Sequence, residues 1–455
     1  MTDNPLSHGL ILSGMQSSSG KTAITCMLMA ALQEQGMSLQ PFKVGPDFID
    51  PGYHAQYAGK PCINLDAWMM GKTRILQDVQ RFGAGKVGIV EGVMGLFDGA
   101  SPNSDEGSTV ELARWLNWPV LLVVPCEKAG RSIAAAIRGF VEEAGAHRIC
   151  GVILNQIGGE SHAHYLKDAL AYLNLPVLGA VPKNELLRWP ERHLGLHSQT
   201  EIDLPEAGEL ARLGCEVLDI DLIQSLVAEA PEGQSSESQV CSVSIPKRVA
   251  IAKDEAFHFY YHANLEYLKN CGVELVEFSP LNETSLPDQI EGVIFGGGFP
   301  EIFAAQIADN ASMRSSIAQA IANGMPCYAE CGGLMILSEE LITQAGKRFP
   351  MVGVVPGSVQ MTPHLNNFGY CFCTPGDSSN VEASWRGHEF HYSLWSAEET
   401  KANLWQVTKK YRKIKRTEGF RHQGLHASYV HLYFPTAPEV FEDLFGLEKE
   451  QSFPF

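Results

Sequence analysis

The sequence predicts an α/β protein made of two doubly wound domains, each with a parallel sheet covered on both faces by helices. Three observations carry that expectation. Short apolar runs alternate with helix-period segments through the first two hundred residues or so. A polar stretch without periodicity, Ala228 to Ser244, interrupts them. The alternation then resumes at Val249. At 455 residues the chain is also too long for one ordinary core. The expected division is a first domain at 1–227, a connection at 228–246 and a second domain at 247–455.

Composition narrows the class. Hydrophobic residues at 45% and charged residues at 19% describe a soluble globular protein. No apolar run reaches membrane-spanning length, and the N-terminus has no leader pattern, so no membrane partner is expected. Eleven cysteines are dispersed without paired CxxC motifs, which points to free thiols in the cytoplasm. A net charge of −18 with no basic stripe argues against nucleic acid as the partner. A homodimer is the expected assembly.

The first strand is Leu10-Ile11-Leu12. Ile24, Leu28, Ala31 and Leu32 then recur at helical spacing, and Gly36 is placed to end that helix. Between them lies Gly14-Met15-Gln16-Ser17-Ser18-Ser19-Gly20-Lys21-Thr22. Strand, small-residue loop and helix together form the context in which such a string cradles phosphate. Backbone N–H groups from Gly14 through Ser17, Ser18, Ser19 and Gly20 would face the phosphate oxygens. Lys21 would add a mobile positive charge, and the Thr22 hydroxyl would ligate Mg²⁺. ATP and Mg²⁺ are therefore the expected cofactors. Five residues separate Gly14 from Gly20, one more than the commonest pattern has. That longer loop resembles the dethiobiotin synthetase-like branch of the P-loop proteins.

The next strand, Leu39 to Lys43, runs into Val44-Gly45-Pro46-Asp47-Phe48-Ile49-Asp50-Pro51. Gly-Pro and Asp-Pro predict a loop here and no helix. Charged residues at the carboxyl end of a strand sit where open α/β sheets bind ligands. Lys43 would neutralise a transferring phosphoryl group, Asp47 would hold Mg²⁺, and Asp50 would face substrate. Val87 to Val90 is a short buried strand with Glu91 immediately after it, in the place of the second-strand acid of P-loop enzymes. Thr22, Asp47 and Glu91 thus form the expected metal set. Strands at Val120–Val124, Ile149–Leu154 and Val177–Val181 follow, with helices at Ile133–Glu143 and His164–Leu173 between them. Asn155, just past its strand, is a candidate for reading a base edge and equally for a structural turn.

Four segments now carry a family resemblance. Lys43-Val44-Gly45-Pro46-Asp47-Phe48-Ile49-Asp50-Pro51-Gly52-Tyr53-His54, Asn64-Leu65-Asp66, Glu91-Gly92-Val93-Met94-Gly95-Leu96-Phe97-Asp98-Gly99 and Arg192-His193-Leu194-Gly195-Leu196 resemble the signatures of cobyrinic acid a,c-diamide synthases, in order and in approximate spacing. The resemblance implies substrate-binding roles for Asp50, Asn64 and Asp66. One departure is Ala23, where the family usually has a second threonine.

In the second half, a strand at Val249–Ala252, a helical pattern at Phe257–Leu268 and strands at Val273–Phe278 and Val293–Phe295 lead to Gly296-Gly297-Gly298. The centre is Cys327-Tyr328-Ala329-Glu330-Cys331-Gly332-Gly333. An apolar run into Cys331, then small residues and a helical pattern, is the shape of a nucleophile elbow. A helix N-terminus there favours the thiolate that attacks. The glycine triplet, Gly297 and Gly298 above all, would supply oxyanion N–H groups. Spacing alone does not choose the base among His388, His391, His426 and His431.

This half resembles the class I glutamine amidotransferase domain of corrinoid amide synthases, through Ala329-Glu330-Cys331-Gly332-Gly333 and Ser428-Tyr429-Val430-His431. The resemblance implies a catalytic pair of Cys331 and His431. Typical class I glutaminases carry a glutamate two positions beyond the base; here that position is Tyr433, so what orients His431 is open. The implied reaction is ATP-dependent amidation, with Lys21 and Lys43 beside the transferring phosphoryl and glutamine as the source of ammonia. The implied substrate is a carboxylate-rich cyclic tetrapyrrole amidated at its a and c acetates. Siroheme, nickel-sirohydrochlorin and cobyric acid are rival tetrapyrroles. A partition-type ATP switch is the rival outside enzymes, but it would have the signature lysine where Met15 and Gln16 stand, and no use for Cys331.

Overall fold

The computed structural model describes residues 8–145, 148–189, 204–229, 247–376, 384–397, 403–410 and 415–447. The Arg192–Leu196 motif and most of the expected connection, 230–246, lie outside the described residues. The chain divides into two compact units, Met1–Glu237 and Ser238–Phe455.

The first unit is organised on strands β1 (His8–Gly14), β2 (Leu39–Val44), β3 (Ile63–Leu65), β4 (Val87–Gly95), β5 (Val120–Pro125), β6 (Ile149–Ile157) and β7 (Val177–Pro182). They lie in the order β3-β2-β4-β1-β5-β6-β7 and pair in parallel throughout. The helix after the phosphate-loop string, α1, spans Lys21–Glu34. It is buried almost all round, because Leu10, Leu12 and Ile153 of the sheet cover one side and the helix Ala207–Val217 the other. Gly214 makes that second contact close: a Cβ there would meet Ala31 Cβ at 2.9 Å. A helix packed on both sides is apolar on more than one face.

Several sequence expectations are corrected here. The Gly-Pro and Asp-Pro segment does not remain a loop, since α2 begins at Asp50 and runs to Ala58 with Pro51 in its first turn. Proline suits that position, where its missing N–H has no helical partner in any case. Strand β4 does not stop at Val90 but continues to Gly95, so Glu91 lies within it. Asn155 likewise lies inside β6. Ala228–Glu229, at the start of the expected connection, form a short strand antiparallel to β1.

In the second unit the main sheet has the order Val273–Phe278, Lys247–Ala252, Gly292–Phe295, Cys327–Glu330, Leu425–Ser428 and Phe420–His422. The first five strands are parallel and the last is an antiparallel edge. The segment expected as one helix from Phe257 begins as a strand, Phe257–Phe259, and turns helical only at His262–Asn270. Two largely antiparallel sheets, of four and five strands, are built mainly from residues 338–432 and were not foreseen. One of them pairs Trp385–His391 with His431–Leu432, setting His388 opposite His431.

Candidate active sites

Residue chemistry in the first unit converges at the carboxyl ends of β1, β2 and β4, which are neighbours in the sheet. The loop after β1 takes left-handed backbone at Ser18 (φ 56°) and Gly20 (φ 82°). A Cβ on Gly20 would stand 2.3 Å from Asn155 Nδ2, so only glycine fits. Asn155 donates from that nitrogen to the Ser19 carbonyl at 3.0 Å, and its Oδ1 accepts from Gln156 N at 2.9 Å. Its amide braces the loop. Ser17 and Ser18 are exposed, whereas the Ser19 hydroxyl is buried without a hydrogen-bond partner. Lys21 Nζ donates to the Met94 carbonyl at 2.6 Å, and burial holds its pKa below the ordinary lysine value.

Glu91 is the hub. Its Oε1 accepts from Thr22 Oγ1 at 2.9 Å and from Lys43 Nζ at 3.2 Å, and its Oε2 lies 2.5 Å from His54 Nε2. Lys43 also reaches Asp50 at 3.1 Å, Asp47 at 3.9 Å and the Gly92 carbonyl at 3.1 Å. Burial works against both charges, yet Glu91 and Asp50 raise the Lys43 pKa and Lys43 lowers that of Glu91. The contact thus favours the ionic form of each partner. Asp47 Oδ1 accepts from the N–H groups of Ile49 and Asp50, at 2.9 and 3.1 Å, fixing the turn into α2.

The structure brings Lys21, Thr22, Lys43, Asp47, Asp50 and Glu91 together and gives Asn64 and Asp66 local duties. Asn64 Nδ2 donates to the Gly45 and Asp47 carbonyls at 3.0 and 2.7 Å. Asp66 accepts from Met69 N at 2.8 Å as the N-cap of α3, Ala67–Gly83. His54 had no assigned role in the sequence reading. It lies four residues beyond Asp50 on α2, and i,i+4 residues share a helix face, but a segment read as a loop has no faces to share.

In the second unit Cys331 follows its strand with φ 50° and ψ −105°, a strained conformation for a side-chain-bearing residue. Helix Gly332–Leu337 begins immediately after it, and Cys331 N donates to the Ser428 carbonyl at 2.7 Å. His431 comes three residues past the neighbouring parallel strand, Leu425–Ser428. Both are buried. A Cβ on Gly297 would lie 2.8 Å from His431 Cε1, and one on Gly332 would lie 3.2 Å from the Gly298 amide nitrogen. The Gly297–Gly298 backbone thus borders His431 and the turn that carries Cys331. Gly296 is corrected as an oxyanion donor, because its N–H donates to Tyr260 Oη at 2.8 Å.

The other three histidines have different surroundings. His388 stacks on His431 with centroids 4.8 Å apart and planes 9° apart, and Tyr261 Oη lies 2.7 Å from its Nε2. Burial, and then the neighbouring His431, hold the His388 pKa well below the ordinary value. His391 stacks on Tyr429 at 3.8 Å, and His426 lies 4.9 Å from the Tyr328 ring, its pKa pushed down to about 3 by burial. The sequence reading missed Glu330, whose Oε1 is 3.2 Å from His431 Nδ1. Tyr328 Oη donates to its other oxygen at 2.8 Å.

Comparison with known proteins agrees with both halves. Residues 10–196 match the family model described as CobQ/CobB/MinD/ParA nucleotide binding domain, and residues 248–438 match the CobB/CobQ-like glutamine amidotransferase domain. A protein of Synechococcus sp. named cobyrinate a,c-diamide synthase is 39% identical, covering 95% of this chain and 97% of the relative. A protein of Listeria innocua with the same name is 38% identical over 97% of this chain and 99% of its own. One from Priestia megaterium is 39% identical, covering 95% of each. With both domain models matched in order and similarity of this extent along nearly the whole chain, the protein belongs to the cobyrinate a,c-diamide synthase family.

Proposed function

We propose that this protein amidates the a and c acetate carboxylates of cobyrinic acid, or a close corrinoid, using ATP and ammonia drawn from glutamine. One observation supports this most directly. A single chain joins a phosphate loop backed by the Lys43–Glu91–Asp50 cluster to a Cys331–His431 pair at a strained strand-to-helix turn. The functional division is proposed as 1–227 for the synthetase, 228–246 for the connection and 247–455 for the glutaminase, acting as a cytoplasmic homodimer.

Carboxylates resist amidation because hydroxide is a poor leaving group. Transfer of the γ-phosphoryl of ATP to the substrate gives an acyl phosphate, which ammonia attacks with release of phosphate. Lys21 and Lys43 would offset the charge moving between the oxygens, and the Gly14–Gly20 loop would hold the ATP phosphates. Thr22, Asp47 and Glu91 present the oxygen-only donors that Mg²⁺ prefers. Mg²⁺ held there supplies further charge neutralisation on the phosphates. Asp50 would face the substrate, while Asn64 and Asp66 would serve it through the loop and the helix they hold.

In the second unit the Cys331 thiolate would attack the glutamine amide carbon while His431 gives a proton to the departing ammonia. Gly297 and Gly298 would stabilise the oxyanion. Water then cleaves the glutamyl thioester, releasing glutamate and returning the proton to His431. Incubation with ATP, Mg²⁺, glutamine and candidate tetrapyrroles, read by product mass, tests the reading. Two amide substitutions on the corrinoid are expected. Cys331→Ala should lose the glutamine-dependent product and keep the product made with ammonium salt; equal loss of both would overturn the two-site scheme.

A further inference from the structure

The residue two positions beyond His431 is Tyr433, which leaves open what orients the ring. The structure offers a carboxylate. Glu330, directly before the nucleophile, places Oε1 3.2 Å from His431 Nδ1. Its Oε2 is held by the Tyr328 hydroxyl at 2.8 Å. Glu330, His431 and Tyr328 are all buried, so the contact is made away from bulk solvent.

The chain geometry shows how adjacent residues can serve one ring. In a regular strand successive side chains point to opposite faces, which would set Glu330 and Cys331 apart. The backbone at Cys331, with φ 50° and ψ −105°, leaves the strand conformation there. Both Glu330 and Cys331 then act on the same imidazole. With Nδ1 turned to Glu330, the ring has Nε2 for the thiol.

We infer that Glu330 is the positioning carboxylate of this glutaminase, completing a Cys331–His431–Glu330 set in which acid and nucleophile are consecutive residues. The inference rests on the glutaminase reading of the second unit. Glu330 orients the ring, selects the Nδ1–H form and stabilises the imidazolium, as the carboxylate of a serine-protease triad does from a different chain position. The other groups facing His431 fit the role. Buried His388, stacked on it, is kept neutral and so adds no opposing charge. Burial by itself would disfavour the imidazolium, but Glu330 and Cys331 outweigh it and push the His431 pKa up to about 10.

The test compares wild type with Glu330→Gln, which keeps size and removes charge. Ammonia release from glutamine is followed from acid to alkaline pH, and a diazo-ketone analogue of glutamine, which labels Cys331, reports that the site is folded. Expected for Glu330→Gln is a fall in kcat on the order of a hundredfold with KM little changed. Its alkaline limb should also move to lower pH, since His431 then loses its proton sooner. A labelled variant with near wild-type kcat and an unmoved limb overturns the inference. If Glu330→Gln does not label, Glu330→Asp decides. Retaining the charge should keep the alkaline limb in place, and a limb that moves down regardless overturns the inference. A wild-type protein that releases no ammonia from glutamine overturns the glutaminase reading, and the inference with it.

Discussion

Cys331 shows how much one backbone angle can decide. Its residue type and flanking glycines mark it in the sequence, but the consequence of φ 50° for Glu330 does not, because strand alternation predicts opposite faces. His431 shows the converse. Its proposed role as base came from a motif, while its electrostatic setting came only from the fold, which buries it beside Glu330 and Cys331. That setting has a stability consequence. The folded-state pKa of His431, about 10, exceeds the ordinary 6.5, so the linked stability is complete below about 6.5 and is lost as pH rises through about 10. Urea midpoints of wild type should fall across that window, and those of His431→Asn should fall less. Parallel curves would show that His431 contributes no such linkage.

At the scale of elements, α2 and α3 carry the differences between expectation and structure. Prolines at 46 and 51 read as loop punctuation, but Pro51 falls in the first turn of α2, where proline starts a helix as readily as it ends one. Once α2 exists, Asp50 and His54 fall on one face, with Lys43 and Glu91 as their partners. Asp66 was read by resemblance as a substrate contact, and its carboxylate caps α3 through Met69 N. Replacing such a cap by alanine costs about 1 kcal/mol, which is roughly a fivefold change in an opening equilibrium. Asp66→Ala should therefore speed amide exchange in the first turn of α3 by about that factor. Unchanged exchange would remove the capping role. A raised KM for the corrinoid with unchanged exchange would give Asp66 a substrate contact instead.

For the whole molecule, the described residues form two compact units, each with its own parallel sheet and its own reactive cluster. The proposed partial reactions should then separate by mutation. Glu91→Gln removes the charge that faces Thr22, Lys43 and His54, and in the proposed scheme a metal ligand as well. Amidation should be abolished with either nitrogen source, while hydrolysis of glutamine at Cys331 continues. A Glu91→Gln protein that still amidates its corrinoid at near wild-type rate would falsify the metal site.

The sequence alone determined the alternating α/β class and the nucleotide-binding and glutamine amidotransferase halves, and it singled out the Gly14–Thr22 loop, Lys43, Asp47, Asp50, Glu91 and Cys331 as candidates. Each of these is written in local order: an apolar run, with a charged or nucleophilic residue and glycine close behind it. Tertiary structure alone decided which groups meet. His54 reaches Glu91 across 37 positions and Glu330 reaches His431 across 101, and no local pattern encodes a pairing of that span. The largely antiparallel sheets of residues 338–432 depend on the same kind of long-range register. Buried charges are settled last by their neighbours: burial penalises Lys43 and Glu91 separately, while the carboxylates of Glu91, Asp50 and Asp47 around Lys43, and Lys43 and His54 around Glu91, favour the ionic forms.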